Sequence, residues 1–98
     1  MPIFKYIITD DGAILFNEIA THKQVAFGFK KVYSAGFVRI KIMRREIEVE
    51  AYGRSDSLEI ESIPLIDKIF IEDLFAPVSK IKYFNMSVKG FYEDVTPL

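Results

Sequence analysis

The chain has 98 residues, half of them apolar, with no cysteine and a formal charge of -1. That length suits one hydrophobic core, which argues against a repeat array or a pair of modules, and the mixture of apolar and charged residues excludes collagen-like and intrinsically disordered classes. Without cysteine there is no disulfide framework, thiolate zinc site or sulfur nucleophile, and a near-neutral charge gives no global field to gather nucleic acid or an anionic membrane.

Ile3 to Thr9 is dense in Ile, Phe and Tyr and runs into Asp10-Asp11-Gly12, a turn signal because glycine accepts a positive φ. Ala13 to Asn17 then returns, which predicts an N-terminal hairpin. Ile19, Val25, Ala26 and Phe29 are spaced more like a helix than a strand. They predict a short helix at about 21–28, with Thr21 as N-cap accepting from the N–H of Lys23 or Gln24 and Gly28 limiting its length.

The middle of the chain is the most informative stretch. A hairpin turn at Arg44 and Arg45 sets Ile42 against Ile47, Ile40 against Val49 and Val38 against Ala51 on one face. Lys41 then meets Glu48, and Arg39 meets Glu50, on the other. A slip of one residue would set Ile against Glu, so the register is well specified. Arg-Arg lacks the positive-φ chemistry of a two-residue loop, which leaves a longer loop from Met43 to Glu46 open.

Beyond Gly53 comes the polar stretch Arg54-Ser55-Asp56-Ser57, then Leu58 to Ser62 as a brief strand or an extended connection. Ile66, Ile69, Phe70 and Leu74 fall at helical intervals, and Asp67, Lys68, Glu72 and Asp73 fill the opposite, solvent side. This predicts a longer helix at about 64–75, entered through Ser62 and Pro64 and closed before Pro77. Lys80 to Met86 reads as a last strand, and Phe91, Tyr92 and Val95 suit a tail that docks. The whole predicts a single α+β domain over residues 1–98: an antiparallel sheet of four or five strands, with the longer helix on one face and the short helix at an edge.

Along this path, Leu15-Phe16 ends a strand, His22 opens a short helix, and Ser34-Ala35-Gly36-Phe37 starts a strand. Gly53-Arg54-Ser55-Asp56-Ser57-Leu58 then forms a Gly-x-Ser-x-Ser-Leu segment, and Ser62-Ile63-Pro64 precedes a helix. In these features the chain resembles a group of small bacterial and phage-encoded proteins of no established activity. The glycine usual after Ser-Leu in that pattern is Glu59 here, and the acidic residue usual after the Ser-x-Pro step is Leu65. The resemblance implies the same segmentation over about residues 14–75 and implies no chemistry.

The candidate sites are few. Gly53, Arg54, Ser55 and Ser57 could cradle an anion beside His22, since Ser hydroxyls, N–H groups after a glycine and a guanidinium are all donors. As a nucleophile elbow the segment lacks its second glycine, and a Ser nucleophile would need the single imidazole, His22, as its base. A lone His beside Lys23 offers no metal set, Asp10 and Asp11 lack calcium-loop spacing, and no cofactor motif is present. Lys30 to Arg45 holds six bases and no acid, but the glutamates of the neighbouring strand answer most of that charge. Nucleic-acid binding is thereby confined to the Arg44-Arg45 tip and disfavoured. No apolar run approaches the roughly 20 residues needed to span a bilayer, so no membrane partner and a cytoplasmic location are expected. Nine Phe and five Tyr with no catalytic set favour a non-catalytic interaction module, self-associating or binding another protein through sheet edges or through Tyr83, Phe84, Phe91 and Tyr92.

Overall fold

The computed structural model describes residues 3–44, 46–75 and Tyr92. Strands β1 (Ile3–Thr9), β2 (Gly12–Phe16), β3 (Val32–Ile42) and β4 (Ile47–Tyr52) form one antiparallel sheet in the order β2-β1-β3-β4. Two short strands, β5 (Arg54–Ser55) and β6 (Ile60–Glu61), pair separately, and the helices are α1 (His22–Ala26) and α2 (Pro64–Asp73). This is the expected α+β class with a four-stranded sheet. The strand expected at Lys80 to Met86 lies outside the described residues.

The two hairpins follow from local chemistry. Thr9 pairs with Gly12 across the Asp10-Asp11 loop, and Gly12 sits at φ 103, a conformation that a side chain would strain. In the second hairpin every expected pair is found, from Ile42 opposite Ile47 to Val38 opposite Ala51, with Arg39 opposite Glu50 and Lys41 opposite Glu48. The strands stop at Ile42 and Ile47, which leaves Met43 to Glu46 as the connection, and within it Met43 N–H donates to Glu46 O across the Arg44-Arg45 tip. Side-chain alternation puts Phe4, Tyr6, Ile8, Ala13, Leu15, Val38, Ile40, Val49 and Ala51 on one face, where they pack with Phe70 and Ile71 of α2.

α1 is capped as Thr21 predicts. Its hydroxyl accepts from Gln24 N–H at 3.1 Å while the Gln24 side chain accepts from Thr21 N–H at 2.9 Å, a reciprocal capping box. Gly28, at φ 100, follows the helix and lets the chain leave it. α2 departs from expectation at its entry: Pro64 occupies the first turn, but Ser62 does not cap it and instead donates to Gly53 O at 2.7 Å. Glu59 stands at φ 56, the one non-glycine residue with positive φ among those described.

Asp67 is the main correction. The helical pattern places it with the solvent-facing charges, yet it is wholly buried. Its Oδ1 accepts from Ser34 Oγ and from Tyr92 OH, both at 2.5 Å; its Oδ2 accepts from Tyr6 OH and from Ile63 N–H at 2.8 Å. The last bond supplies the missing helix cap from inside the helix. Four donors thus converge on the four acceptor positions of one carboxylate, which offsets its desolvation with no cation paired to it among the described residues. Tyr92 is held further by its ring, stacked between Tyr33 and Phe70 at centroid distances of 5.3 and 5.9 Å. Burial, then the Asp67 charge, raises both the Tyr6 and Tyr92 phenols far above the ordinary tyrosine value.

Asp67→Asn would turn an amide N–H₂ toward two donors in a dry site, and is expected to destabilise the fold by roughly 3–5 kcal/mol. Tyr6→Phe, which removes one donor and leaves the carboxylate three, is expected to cost roughly 1–3 kcal/mol. Urea unfolding of the two variants against the parent protein measures both, and an Asp67→Asn variant as stable as the parent would contradict this role.

Candidate functional site

His22 opens α1, which packs against β1 on the face of the sheet opposite α2. The imidazole is 5% exposed and lies edge-on to Phe16 and Phe37, with ring centroids 5.3 and 5.6 Å away. Its Nε2 is 2.8 Å from Gly36 O. A carbonyl can only accept, so Nε2 carries the proton. Burial lowers the His22 pKa from its ordinary 6.5; the Gly36 carbonyl opposes that shift, Lys5 adds to it, and Asp56 opposes it. The ring is therefore the neutral Nε2–H tautomer at neutral pH.

Gly36 sets the distance at which this can happen. A Cβ there would stand 2.5 Å from Tyr52 O and 3.2 Å from Ser62 Cβ, so only glycine lets β3 pass so close to the chain leaving β4. The sequence pairs His22 with the polar loop after Gly53, and the fold does bring them together: Lys23 N–H donates to Ser57 Oγ at 3.2 Å. A cleft of about 180 Å³ is lined by Lys5, Thr21, His22, Phe37, Arg54, Asp56 and Ser57. His22, Arg54 and Ser57 thus share it, while Gly53 and Ser55 are not among its lining.

Those two residues work inward. Ser55 is buried; its Oγ accepts from Leu58 N–H at 3.1 Å and lies 3.4 Å from Ser57 Oγ. Gly53 O accepts from both the N–H and the hydroxyl of Ser62. A Ser-His relay would need His22 to meet Ser55 or Ser57: Nε2 is given to Gly36 O, Ser55 Oγ accepts from Leu58 N–H, and Ser57, which does share the cleft, accepts from Lys23 N–H. The cleft cations are engaged too: Lys5 Nζ donates to Glu18 O and Ala20 O at 3.3 and 3.1 Å, and Arg54 Nε pairs with Asp56 at 3.2 Å. Lys5 was not singled out by sequence reasoning, because a strand lysine 17 positions before His22 carries no local signal.

The other candidate surfaces are the charged sheet face and the sheet edges. Arg39 pairs with Glu50 at 3.4 Å and lies over the Tyr52 ring, while Lys41 and Glu48 stand opposite each other in the register. At the hairpin tip Arg44 is exposed, and Arg45 lies outside the described residues. No helix of the described residues is long and apolar enough to cross a membrane, and no cluster of three or more metal-ligating side chains occurs among them. Among the described residues no strand pairs with the outer side of β2 or of β4. No family model matches the chain, and no match is found among curated proteins or solved structures.

Because the folded ring binds a proton less readily than the unfolded chain, the unfolded state holds more protons on this residue as pH falls through 6.5. Stability attributable to His22 is therefore complete above 6.5 and lost as pH drops toward the lowered folded value. The chain has one histidine, so its ring resonance titrates alone by NMR. A midpoint below 6.5 is expected, and one at or above 6.5 would contradict the buried, Gly36-bonded geometry.

Proposed function

We propose that this domain is a non-catalytic interaction module that self-associates through an edge of its sheet. The observation that carries the reading is that both outer strands of the sheet lack a strand partner among the described residues. A four-stranded antiparallel sheet ends in β2 and β4, each with a row of backbone donors and acceptors that no described element covers. Large apolar side chains left at the surface support it, with Ile19 and Phe27 each 90% exposed and Leu65 83% exposed.

The aromatic tail is the weaker route to a partner. Tyr92 is 3% exposed and committed to its own core, and Tyr83, Phe84 and Phe91 lie outside the described residues. The His22 cleft supports ligand binding less well than the edges support association, since Lys5 and Arg54 already hold internal partners.

Self-association predicts a mass of twice the chain or more by light scattering coupled to size exclusion at high micromolar concentration, falling toward one chain on dilution. A monomer throughout that range would overturn the reading.

A further inference from the structure

We infer that β2 is the associating edge, and that a second copy of this chain pairs with it antiparallel about a two-fold axis at Ile14. This rests on the self-association reading above and adds the strand, the register and the partner.

The two outer strands differ in charge. β4 reads Ile47-Glu48-Val49-Glu50-Ala51-Tyr52. Two-fold pairing of a strand with itself keeps its buried and exposed faces aligned only when the axis passes through a residue. Through Val49, such an axis sets Glu48 opposite Glu50; through Glu48 or Glu50, it sets that residue opposite its own copy. Every central register of β4 therefore brings like charges together, which destabilises pairing. Charged residues on an edge strand are a recognised way to block edge-to-edge contact.

β2 reads Gly12-Ala13-Ile14-Leu15-Phe16 and carries neither charge nor proline. An axis through Ile14 sets Ile14 on Ile14 and Gly12 on Phe16 on the α1 side of the sheet, and Ala13 on Leu15 on the α2 side. Apolar meets apolar at every pair. The backbone agrees with the same register. Thr9 and Gly12 close the two-residue loop as a hydrogen-bonded pair, and antiparallel alternation then makes Ile7–Ile14 and Lys5–Phe16 the next such pairs. The N–H and C=O groups of Ala13 and Leu15 are thereby left pointing outward. In the Ile14-centred register Ala13 of each copy faces Leu15 of the other, so all four outward N–H groups find carbonyls, and the two four-stranded sheets become one of eight strands.

The Ile14–Ile14 contact is then a non-hydrogen-bonded pair, with Cα atoms about 4.5 Å apart. That separation is within disulfide reach, roughly 4.4–6.8 Å. Since the chain has no cysteine, any disulfide formed by an Ile14→Cys variant must join two copies. Mild oxidation of the full chain is expected to convert most of it to a reducible covalent dimer, while Glu48→Cys on β4 stays largely uncrosslinked. Ile14→Lys, with unchanged far-ultraviolet circular dichroism, is expected to shift the protein to a monomer. If light scattering finds a dimer while Ile14→Cys fails to cross-link, or a folded Ile14→Lys variant stays dimeric, the β2 assignment is overturned and the module reading stands. If the parent chain is monomeric, both fall.

Discussion

One buried carboxylate organises this domain. Asp67 takes donors from β1, from β3, from the backbone at the entry of α2 and from Tyr92, so four separated parts of the chain converge on two oxygen atoms. The arrangement succeeds because every donor is present. In a low-dielectric interior a carboxylate missing one partner is far less favourable than an apolar residue would be, so the network ties the placement of the helix to the register of the sheet. The apolar face formed by Val38, Ile40, Val49 and Ala51 would accept many helices. The hydroxyls of Tyr6 and Ser34 select the one that brings Asp67.

The opposite face is settled differently. There His22 is neutral, wedged between Phe16 and Phe37, and donates to Gly36 O, so the short helix is held by an aromatic slot, by that bond and by the bond from Lys23 N–H to Ser57 Oγ. Beside it the loop after Gly53 satisfies its own polar atoms, through Ser55 to Leu58 N–H and Ser62 to Gly53 O. Polar residues that look in sequence like a donor-lined cradle are largely committed to holding the loop in place. With those groups engaged inside the chain, the functional reading passes to the outer strands, which have no strand partner among the described residues.

Much of the fold was legible because it rests on local signals. Period-two alternation and opposed charges determined the β3–β4 register, Asp-Asp-Gly marked the first turn, and Thr21 with Gln24 marked the start of α1. The contact between His22 and the Gly53 loop was readable as a candidate, although the inward role of Ser55 was not. What stayed hidden depends on distance along the chain. Asp67 occupies a polar position of an amphipathic helix, and its partners Tyr6 and Ser34 lie 61 and 33 residues away, so no local pattern distinguishes it from Lys68 or Glu72. Lys5 is similar: its partners are backbone carbonyls, which have no identity in sequence.

Amide hydrogen exchange at Ala13 and Leu15 tests most directly whether the outward backbone groups of β2 close on a second chain. These two amides should be protected at high protein concentration and lose protection on dilution, while the Ile14 amide, bonded to β1 within the same chain, stays protected throughout. Fast exchange at Ala13 and Leu15 at every concentration would contradict the claim.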